Sequence, residues 1–316
     1  MLSFKGKNAF LKAGERSIGL DTKSDFSFVS HAHSDHIPSL KKTTVVCSDA
    51  TADLIATKGL SAERASLPNS KLLDSGHVLG GKQLYYEDDG ASILYSGDIR
   101  TEKSITLGAA ETLHADALIM ECTYGLPQYS FPPLEQTYQE IAAWTAEQQA
   151  AGRITILGGY SLGKAQELVK ILNDHAGITP VVSDEIAGIC AAYEKHRIPL
   201  RYLSAAGEEG KTELSRAFVG IVPMHKVTDG LVRNLQSAYG RRVSAATASG
   251  WALYSRSQFK GFCLSDHADF NGLLSFVERV SPKKVHCVHG FAHEFAATLR
   301  SKGFDAADLG TTVEKQ

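Results

Sequence analysis

Several features that would narrow the possibilities at once are missing from this chain. None of its 316 residues lies in a run of roughly 18 uninterrupted apolar residues, the length of a membrane span. Met1 to Phe10 lacks the apolar centre and small-residue cleavage site of a secretory signal, so a cytoplasmic protein is expected. The cysteines, Cys47, Cys122, Cys190, Cys263 and Cys287, are odd in number, scattered, and never in a Cys-x-x-Cys pair. That spacing indicates neither a zinc ribbon nor a disulfide framework, and the five read as small buried residues. A net charge of -2 withholds the global basic footprint of many nucleic-acid binders. Three local basic pairs remain, Lys41-Lys42, Arg241-Arg242 and Lys283-Lys284, each read as a solvated surface pair. Internal repeats and low-complexity linkers are absent as well.

What the chain does have is concentrated in Ser30-His31-Ala32-His33-Ser34-Asp35-His36, directly after the apolar stretch Phe26 to Val29. If that stretch ends a strand and the chain then turns sharply, His31 and His33 can meet one metal ion while Asp35 and His36 face a second. These are nitrogen and oxygen donors of the kind that zinc and manganese accept. Such a pattern reads as a two-metal hydrolase site. Downstream, His77 sits in Ser75-Gly76-His77-Val78-Leu79-Gly80-Gly81, where glycines allow a tight loop. Asp98 ends the apolar run Leu94-Tyr95-Ser96-Gly97, a place from which a carboxylate can bridge two cations. With His31, His33 and His77 on one ion, Asp35, His36 and His289 on the other, and Asp98 between them, every position of a dinuclear site is filled.

The first 125 residues alternate short β-rich runs with Gly and Asp turns: Ser17 to Asp21, Phe26 to Ser30, Thr43 to Cys47, Gln83 to Tyr86, Ser92 to Tyr95 and Ala117 to Glu121. After Gly125 the pattern becomes helical, with Leu134, Tyr138, Ile141 and Trp144 spaced along one face and Gly152 as the stop. Strand and helix then alternate: Arg153 to Leu157, Lys164 to Asn173, Val181 to Val182, and Asp184 to His196 opened by Ser183. From Phe262 onward the metal-type residues return. The simplest organisation is one split domain, residues 1–126 plus 262–316, carrying an α/β insert over 127–261.

Within the insert, Gly158-Gly159-Tyr160-Ser161-Leu162-Gly163-Lys164 satisfies Gly-x-x-x-x-Gly-Lys between a predicted strand and a predicted helix. The next residue is Ala165, so the hydroxyl that a P-loop offers to magnesium is missing and ATP hydrolysis is not expected. An anion seat at a helix N-terminus is the surviving expectation, with Ser161, Gly163 and Lys164 holding a backbone phosphate. Ser249 and Gly250 suggest a second seat, and Tyr160 and Trp251, beside these turns, can stack on the bases of a single strand.

Taken together, these motifs make the chain similar to metallo-β-lactamase-fold hydrolases of the β-CASP nuclease group. Asp21 in Gly19-Leu20-Asp21 resembles the group's first motif, His31 to His36 the second, His77 the third and Asp98 the fourth, while Glu121 matches its acidic motif. Ser265-Asp266-His267-Ala268-Asp269 resembles the stretch that supplies a catalytic histidine, and Val288-His289-Gly290 the one that supplies the last metal ligand. Cys122 stands where the group commonly has serine or threonine. Gly159 to Gln166, Ser249-Gly250-Trp251 and Leu264 to Asp269 are similar to the compact branch of ligase-associated DNA exonucleases. The resemblance implies an αββα sandwich with an inserted α/β domain and two divalent ions, Zn2+ or Mn2+. It further implies a nucleic-acid substrate, single-stranded DNA before RNA, in DNA repair. An ATP-dependent DNA ligase or a helicase as partner, a homodimer, and no membrane association are consistent with it. In that chemistry the leaving oxygen needs a proton, which His267 would deliver with Glu121 orienting it, and Asp35 would join the catalytic set.

Three other readings compete. A ribonuclease for RNA processing shares every motif. A small-molecule hydrolase such as a lactonase or thioesterase shares the metal cluster but has no use for the insert or for the Glu121 and His267 pair. A metal-free scaffold subunit would keep the fold without the ligands, and no ligand position is replaced here.

Overall fold

The computed structural model describes residues 2–6, 8–254 and 257–309. The chain forms two compact units: Met1–Lys103 with Leu107–Ser130 and His267–Gln316, and Ser104–Thr106 with Phe131–Asp266.

The first unit begins with strands β1 (Leu2–Lys5), β2 (Asn8–Ala13), β3 (Arg16–Leu20), β4 (Phe26–Phe28) and β5 (Thr44–Val46), helix α1 (Asp49–Thr57), and β6 (Glu63–Arg64). Strands β7 (Ser70–Asp74), β8 (Lys82–Asp88), β9 (Ala91–Tyr95) and β10 (Ala117–Glu121) follow. The second unit holds helix α2 (Leu134–Ala150), β11 (Ile154–Gly159), α3 (Lys164–His175), β12 (Val181–Val182) and α4 (Asp184–Lys195). It continues with β13 (Leu203–Ser204), α5 (Glu208–Leu214), β14 (Val219–Pro223), α6 (Asp229–Tyr239), β15 (Val243–Ala248) and β16 (Lys260–Phe262). Helix α7 (Phe270–Val280), β17 (Lys284–Val288), α8 (Ala292–Ser301) and β18 (Ala306–Asp308) return to the first unit.

In the first unit β1 to β6 make one six-stranded sheet in chain order, and a second runs β18-β17-β10-β9-β8-β7. The alternation in β10 shows how one strand serves two cores. Ile119 packs with Phe28, Leu84 and Val288 in the cluster that draws on both sheets, whereas Leu118 and Met120 face α7 and α8. Helix α7 buries Phe270, Leu273, Phe276, Val277 and Val280 along one face, and its N-cap Asp269 accepts the Gly272 N–H at 2.7 Å. The result is a two-sheet sandwich with α7 and α8 packed on the second sheet, the mixed α/β architecture that the resemblance implies.

The central strands β9, β10 and β17 run parallel, as do β3, β4 and β5. Parallel strands discharge their following loops at a common end. Thus the residues after β4 and β9, the last residue of β10 and the residues after β17 are delivered to the C-terminal ends of parallel strands. These are the stretches that carry His31, Asp98, Glu121 and His289.

In the second unit all six strands are parallel, ordered β13-β12-β14-β11-β15-β16. Gly152 follows α2 in the left-handed region at φ 67°, consistent with its expected role as the stop. Ser183 stands at the N-cap of α4 in extended conformation, but its hydroxyl makes no capping bond.

The sequence reading passed over several elements, the β1–β2 hairpin and helix α1 among them. The β1–β2 hairpin is largely exposed at β1, so its apolar alternation is weak. Helix α1 is only nine residues long and is opened by Ser48, whose hydroxyl accepts the Thr51 N–H.

Gly290 shows how closely the backbone is packed beside His289. It has φ +52°, and a Cβ there would lie 2.4 Å from the Cys122 carbonyl oxygen and from Thr123 Cα. Neither neighbour can rotate away, because both belong to the main chain. The left-handed conformation and the overlap each cost about 1–2 kcal/mol for a residue with a Cβ. Gly290→Ala is therefore expected to destabilise the protein by about 2–4 kcal/mol, read as a lower urea midpoint with an unaltered m-value.

Candidate metal centre

The site is assembled from the ends of both sheets. After β4, Val29 N–H still bonds the Val46 carbonyl at 2.9 Å, and Ser30 N–H turns to Asp21 Oδ1 at 2.6 Å. The chain then folds into a tight turn in which His36 N–H reaches the His33 carbonyl at 3.1 Å. Gly97 permits the approach of the Asp98 loop: with φ +53°, it leaves 2.6 Å between the position of a Cβ and Ser30 Cβ.

Four donor atoms converge. His33 Nδ1 lies 3.0 Å from His31 Nε2 and 3.1 Å from His77 Nε2. Asp98 Oδ2 lies 3.5 Å from His31 Nε2 and 3.6 Å from His77 Nε2. A tetrahedral ion with bonds of about 2.0–2.1 Å would hold its ligands about 3.3–3.4 Å apart, and the four separations bracket that value. His36 Nε2 stands 3.4 Å from the same Asp98 oxygen, so the carboxylate faces imidazoles on two sides. The donor set suits a divalent cation.

Asp21 organises the second side. Its Oδ2 accepts from Ser30 Oγ at 2.5 Å and from Tyr95 Oη at 2.9 Å, and sits 2.8 Å from His36 Nδ1. Holding Nδ1–H leaves the Nε2 lone pair of His36 turned toward Asp98, the usual service of a carboxylate behind a ligating histidine. Ser30 Oγ does the same for His31, 2.9 Å from its Nδ1. Of these supports Asp21 was legible as a motif, whereas Tyr95 was missed: a tyrosine at the end of an apolar strand gives no sign that its hydroxyl will be used.

The electrostatics favour a cation here. Burial, with the neighbouring His36, His77 and His33, pushes His31 well below its ordinary value and keeps it neutral with a lone pair to offer. For His36, burial opposes the charged form, but Asp98 and Asp21 outweigh it and raise the group to about 10. Burial lifts Asp98 to about 7 against the opposing pull of His36 and His267. Carboxylates that stabilise a proton on His36 would equally stabilise a metal ion beside it.

The expected second ligand set is gathered less tightly. Asp35 is largely exposed, with Oδ2 3.8 Å from His36 Nε2. His289 follows β17 with φ +59°, its ring centroid 5.7 Å from that of His36, and burial together with His36 lowers its pKa.

His267 lies beside the cluster, its ring centroid 4.5 Å from that of His77. His267 Nδ1 is 2.8 Å from Glu121 Oε1, and Glu121 is 1% exposed. Burial alone would raise the Glu121 carboxyl; His267 and the Thr123 and Ile99 N–H groups hold it below the usual carboxylate range. An ionised Glu121 fixes the ring so that Nε2 points away from it, the arrangement of an oriented acid or base.

The expected anion seats turn out differently. Lys164 is 2% exposed and its ammonium is paired with Asp266, while Nζ lies 4.7 Å from the centroid of the Tyr160 ring. The loop's own groups are also consumed: Gly163 N–H donates to Gln166 Oε1 at 2.8 Å, Gln166 Nε2 to the Ser161 carbonyl at 3.0 Å, and Ala165 N–H to the Tyr160 carbonyl. Ser249 Oγ accepts the Trp251 N–H at 3.3 Å, and Gly250 is buried. Lys164 and the Gly163 N–H, two of the groups in the phosphate-seat reading of Ser161, Gly163, Lys164, Ser249 and Gly250, are thus engaged within the protein. A sequence pattern cannot reveal that its cation and N–H groups are used internally. Tyr160 and Trp251 remain 40% and 38% exposed.

Comparison with known proteins agrees with this geometry. Residues 257–307 match the family described as the RNA specificity domain of Zn-dependent metallo-hydrolases. The chain is 35% identical over 306 residues to a probable DNA ligase of Opitutus terrae, covering 90% of this chain but 28% of that protein. It is 31% identical over 188 residues to an RNase J-like protein of Methanocaldococcus jannaschii, covering 49% of this chain and 45% of the relative. A similarity of 23% identity to the human DNA cross-link repair 1A protein covers 82% of this chain and 27% of that one. The chain thus spans less than half the length of these curated relatives. A solved protein of unknown function from Enterococcus faecalis superposes with a TM-score of 0.64 at 15% identity, covering 91% of this chain and 79% of the other, a likeness of fold alone. No described helix is long and apolar enough to cross a membrane. With the ordered motifs, the converging His/Asp donors and these relatives in agreement, the chain belongs to the β-CASP group of metallo-β-lactamase-fold nucleases.

Proposed function

We propose that this protein hydrolyses phosphodiester bonds in nucleic acid, as an exonuclease on single-stranded DNA ends in repair. The observation that carries the reading is the juxtaposition of four metal-type donor atoms with the His267–Glu121 pair. His31, His33, His77 and Asp98 would hold one Zn2+ or Mn2+ ion, and His36, Asp35 and His289, sharing Asp98, a second. Bound divalent ions supply Lewis acidity toward the phosphate oxygens and lower the pKa of water.

The chain's own residues do the rest. Asp21 and Ser30 keep the His36 and His31 rings turned toward the donors' common focus. Glu121 holds His267 by Nδ1, leaving Nε2 to give a proton to the departing sugar oxygen. In the second unit, the register places Tyr160 and Trp251 just beyond the C-terminal ends of the adjacent strands β11 and β15. Exposed aromatics so placed suit stacking on unpaired bases. The domain boundaries follow the same reading, with residues 1–126 plus 262–316 as the catalytic sandwich and 127–261 as the β-CASP insert.

The Opitutus relative, similar across 90% of this chain, favours DNA and a ligase as partner. Processing of RNA is the second reading, favoured by the family match over residues 257–307 and by the RNase J-like relative. Both are tested by incubating DNA and RNA oligonucleotides of one sequence, labelled at the 5' or the 3' end, with protein loaded with Zn2+ or Mn2+. Stepwise shortening of the DNA is expected, and a chelator should stop it. Shortening of RNA alone would transfer the assignment to RNA, and intact strands of both kinds would overturn the nuclease reading.

A further inference from the structure

A cleft of about 390 Å³ borders the loop that carries the metal donors, within the first unit. One wall is Ser34 with Ile37 to Lys41, on either side of Asp35 and His36 in the chain; the other is Lys58 to Ser61, just past α1. Lys58 joins the two walls, its Nζ donating to the Ala32 carbonyl at 2.8 Å and to Ser34 Oγ at 3.0 Å. Since Ala32 lies between His31 and His33, this cation is fixed to the metal loop itself. Ile37 and Leu40 contribute half-buried apolar surface, and Leu60 is 43% exposed.

The composition of the lining selects an occupant. Its lining residues include two lysines, Lys41 and Lys58, with the Asp35 carboxylate at the edge toward the metal donors. Lys41 is exposed and adjoins the apolar Leu40 in the lining. Apolar side chains beside the exposed Lys41 ammonium fit a ligand whose flat apolar part is tied to an anion. A volume of this size lies in the range of small-ligand sites, roughly 300–1,000 Å³. Continuity with the Asp35–His36 turn sets any occupant within a few residues of the metal donors.

We propose that this cleft is a nucleotide subsite: it receives the nucleotide next to the bond to be cut, with Lys41 on its phosphate and the Ile37, Leu40 and Leu60 side chains against its base or sugar. The inference rests on the nuclease reading and adds a grip on the strand beside the metal loop. Each lysine–phosphate contact on a single strand releases counterions and contributes about 0.7 to the slope of log affinity against log salt.

The test uses the full-length, metal-loaded protein and a fluorescent single-stranded twelve-nucleotide phosphorothioate, which resists cleavage, with anisotropy read from about 0.05 to 0.2 M salt. Lys41→Ala should weaken binding about fivefold at 0.1 M salt and flatten the slope by about 0.7. Lys41→Arg should restore both. Lys42→Ala, an exposed neighbour that does not line the cleft, should behave as wild type, and Leu60→Ser should weaken binding without changing the slope. A Lys41→Ala slope equal to wild type, or an equal change with Lys42→Ala, overturns the subsite. Cleavage of an ordinary strand is read in parallel. If the wild-type protein cuts nothing while the Lys41-dependent slope persists, the nuclease reading fails and the nucleotide subsite stands; if it cuts and the slope is indifferent to Lys41, the reverse holds.

Discussion

Asp98→Asn should abolish hydrolysis, lowering kcat by about 10³ or more, and should lower the metal content of the purified protein. Asp98 is the carboxylate at the focus of the cluster: one of its oxygens lies within 3.4 to 3.6 Å of His36, His31 and His77. Asparagine keeps the shape and one acceptor oxygen, but removes the negative charge that would offset a bound cation and can turn an NH2 group toward the imidazoles. Metal-derived stabilisation of several kcal/mol is at stake, and each 1.36 kcal/mol is tenfold in rate. Elemental analysis of wild type and variant, alongside initial rates on a labelled single strand, gives the measurement. A variant that keeps both full metal and full rate would remove Asp98 from the centre and the shared-carboxylate arrangement with it.

His267→Ala is expected to separate the proton donor from the metal centre. The loss in kcat should be about 10²–10⁴-fold, the usual contribution of general acid catalysis, with metal content at the wild-type level. Because His267 is held by Glu121 and is not one of the four donors His31, His33, His77 and Asp98, its imidazole can vanish while that set stays complete. Two further readouts distinguish a proton donor from a merely structural residue. The decline of rate at alkaline pH, where an acid catalyst loses its proton, should disappear in the variant. The loss should also be smaller on an aryl phosphodiester whose leaving group departs without protonation. Equal losses on both substrates, or loss of metal together with activity, would make His267 structural or a ligand.

The difference between Glu121 and Lys164 shows where the sequence stops being informative. Both are charged residues at the ends of predicted elements, and both were read as functional. Glu121 ends a parallel strand and meets His267, a residue 146 positions away, by a contact between charged partners that a motif can announce. Lys164 opens a helix as expected, yet its ammonium is buried against Asp266 beneath the Tyr160 ring. A phosphate-loop pattern specifies a turn and a helix start; whether the lysine is left for a ligand depends on a carboxylate 102 residues further on. Tyr95, which supports Asp21, and Lys58, which braces the metal loop, were silent for the same reason: each gains its role from a partner that is remote in sequence.

The chemistry of the donors was decided by residue type and local spacing alone. Three imidazoles and a carboxylate on one turn, with His77, Asp98 and His289 following short apolar runs, are a composition that few structural needs would produce, and period-two apolarity set β4, β9 and β10 around them. Which donors share a focus, which carboxylate stands behind His36, and which cations face solvent were decided only by the folded chain. Those outcomes depend on strand register, on the close approach that Gly97 allows, and on burial, all of which are properties of residues brought together from both ends of the polypeptide.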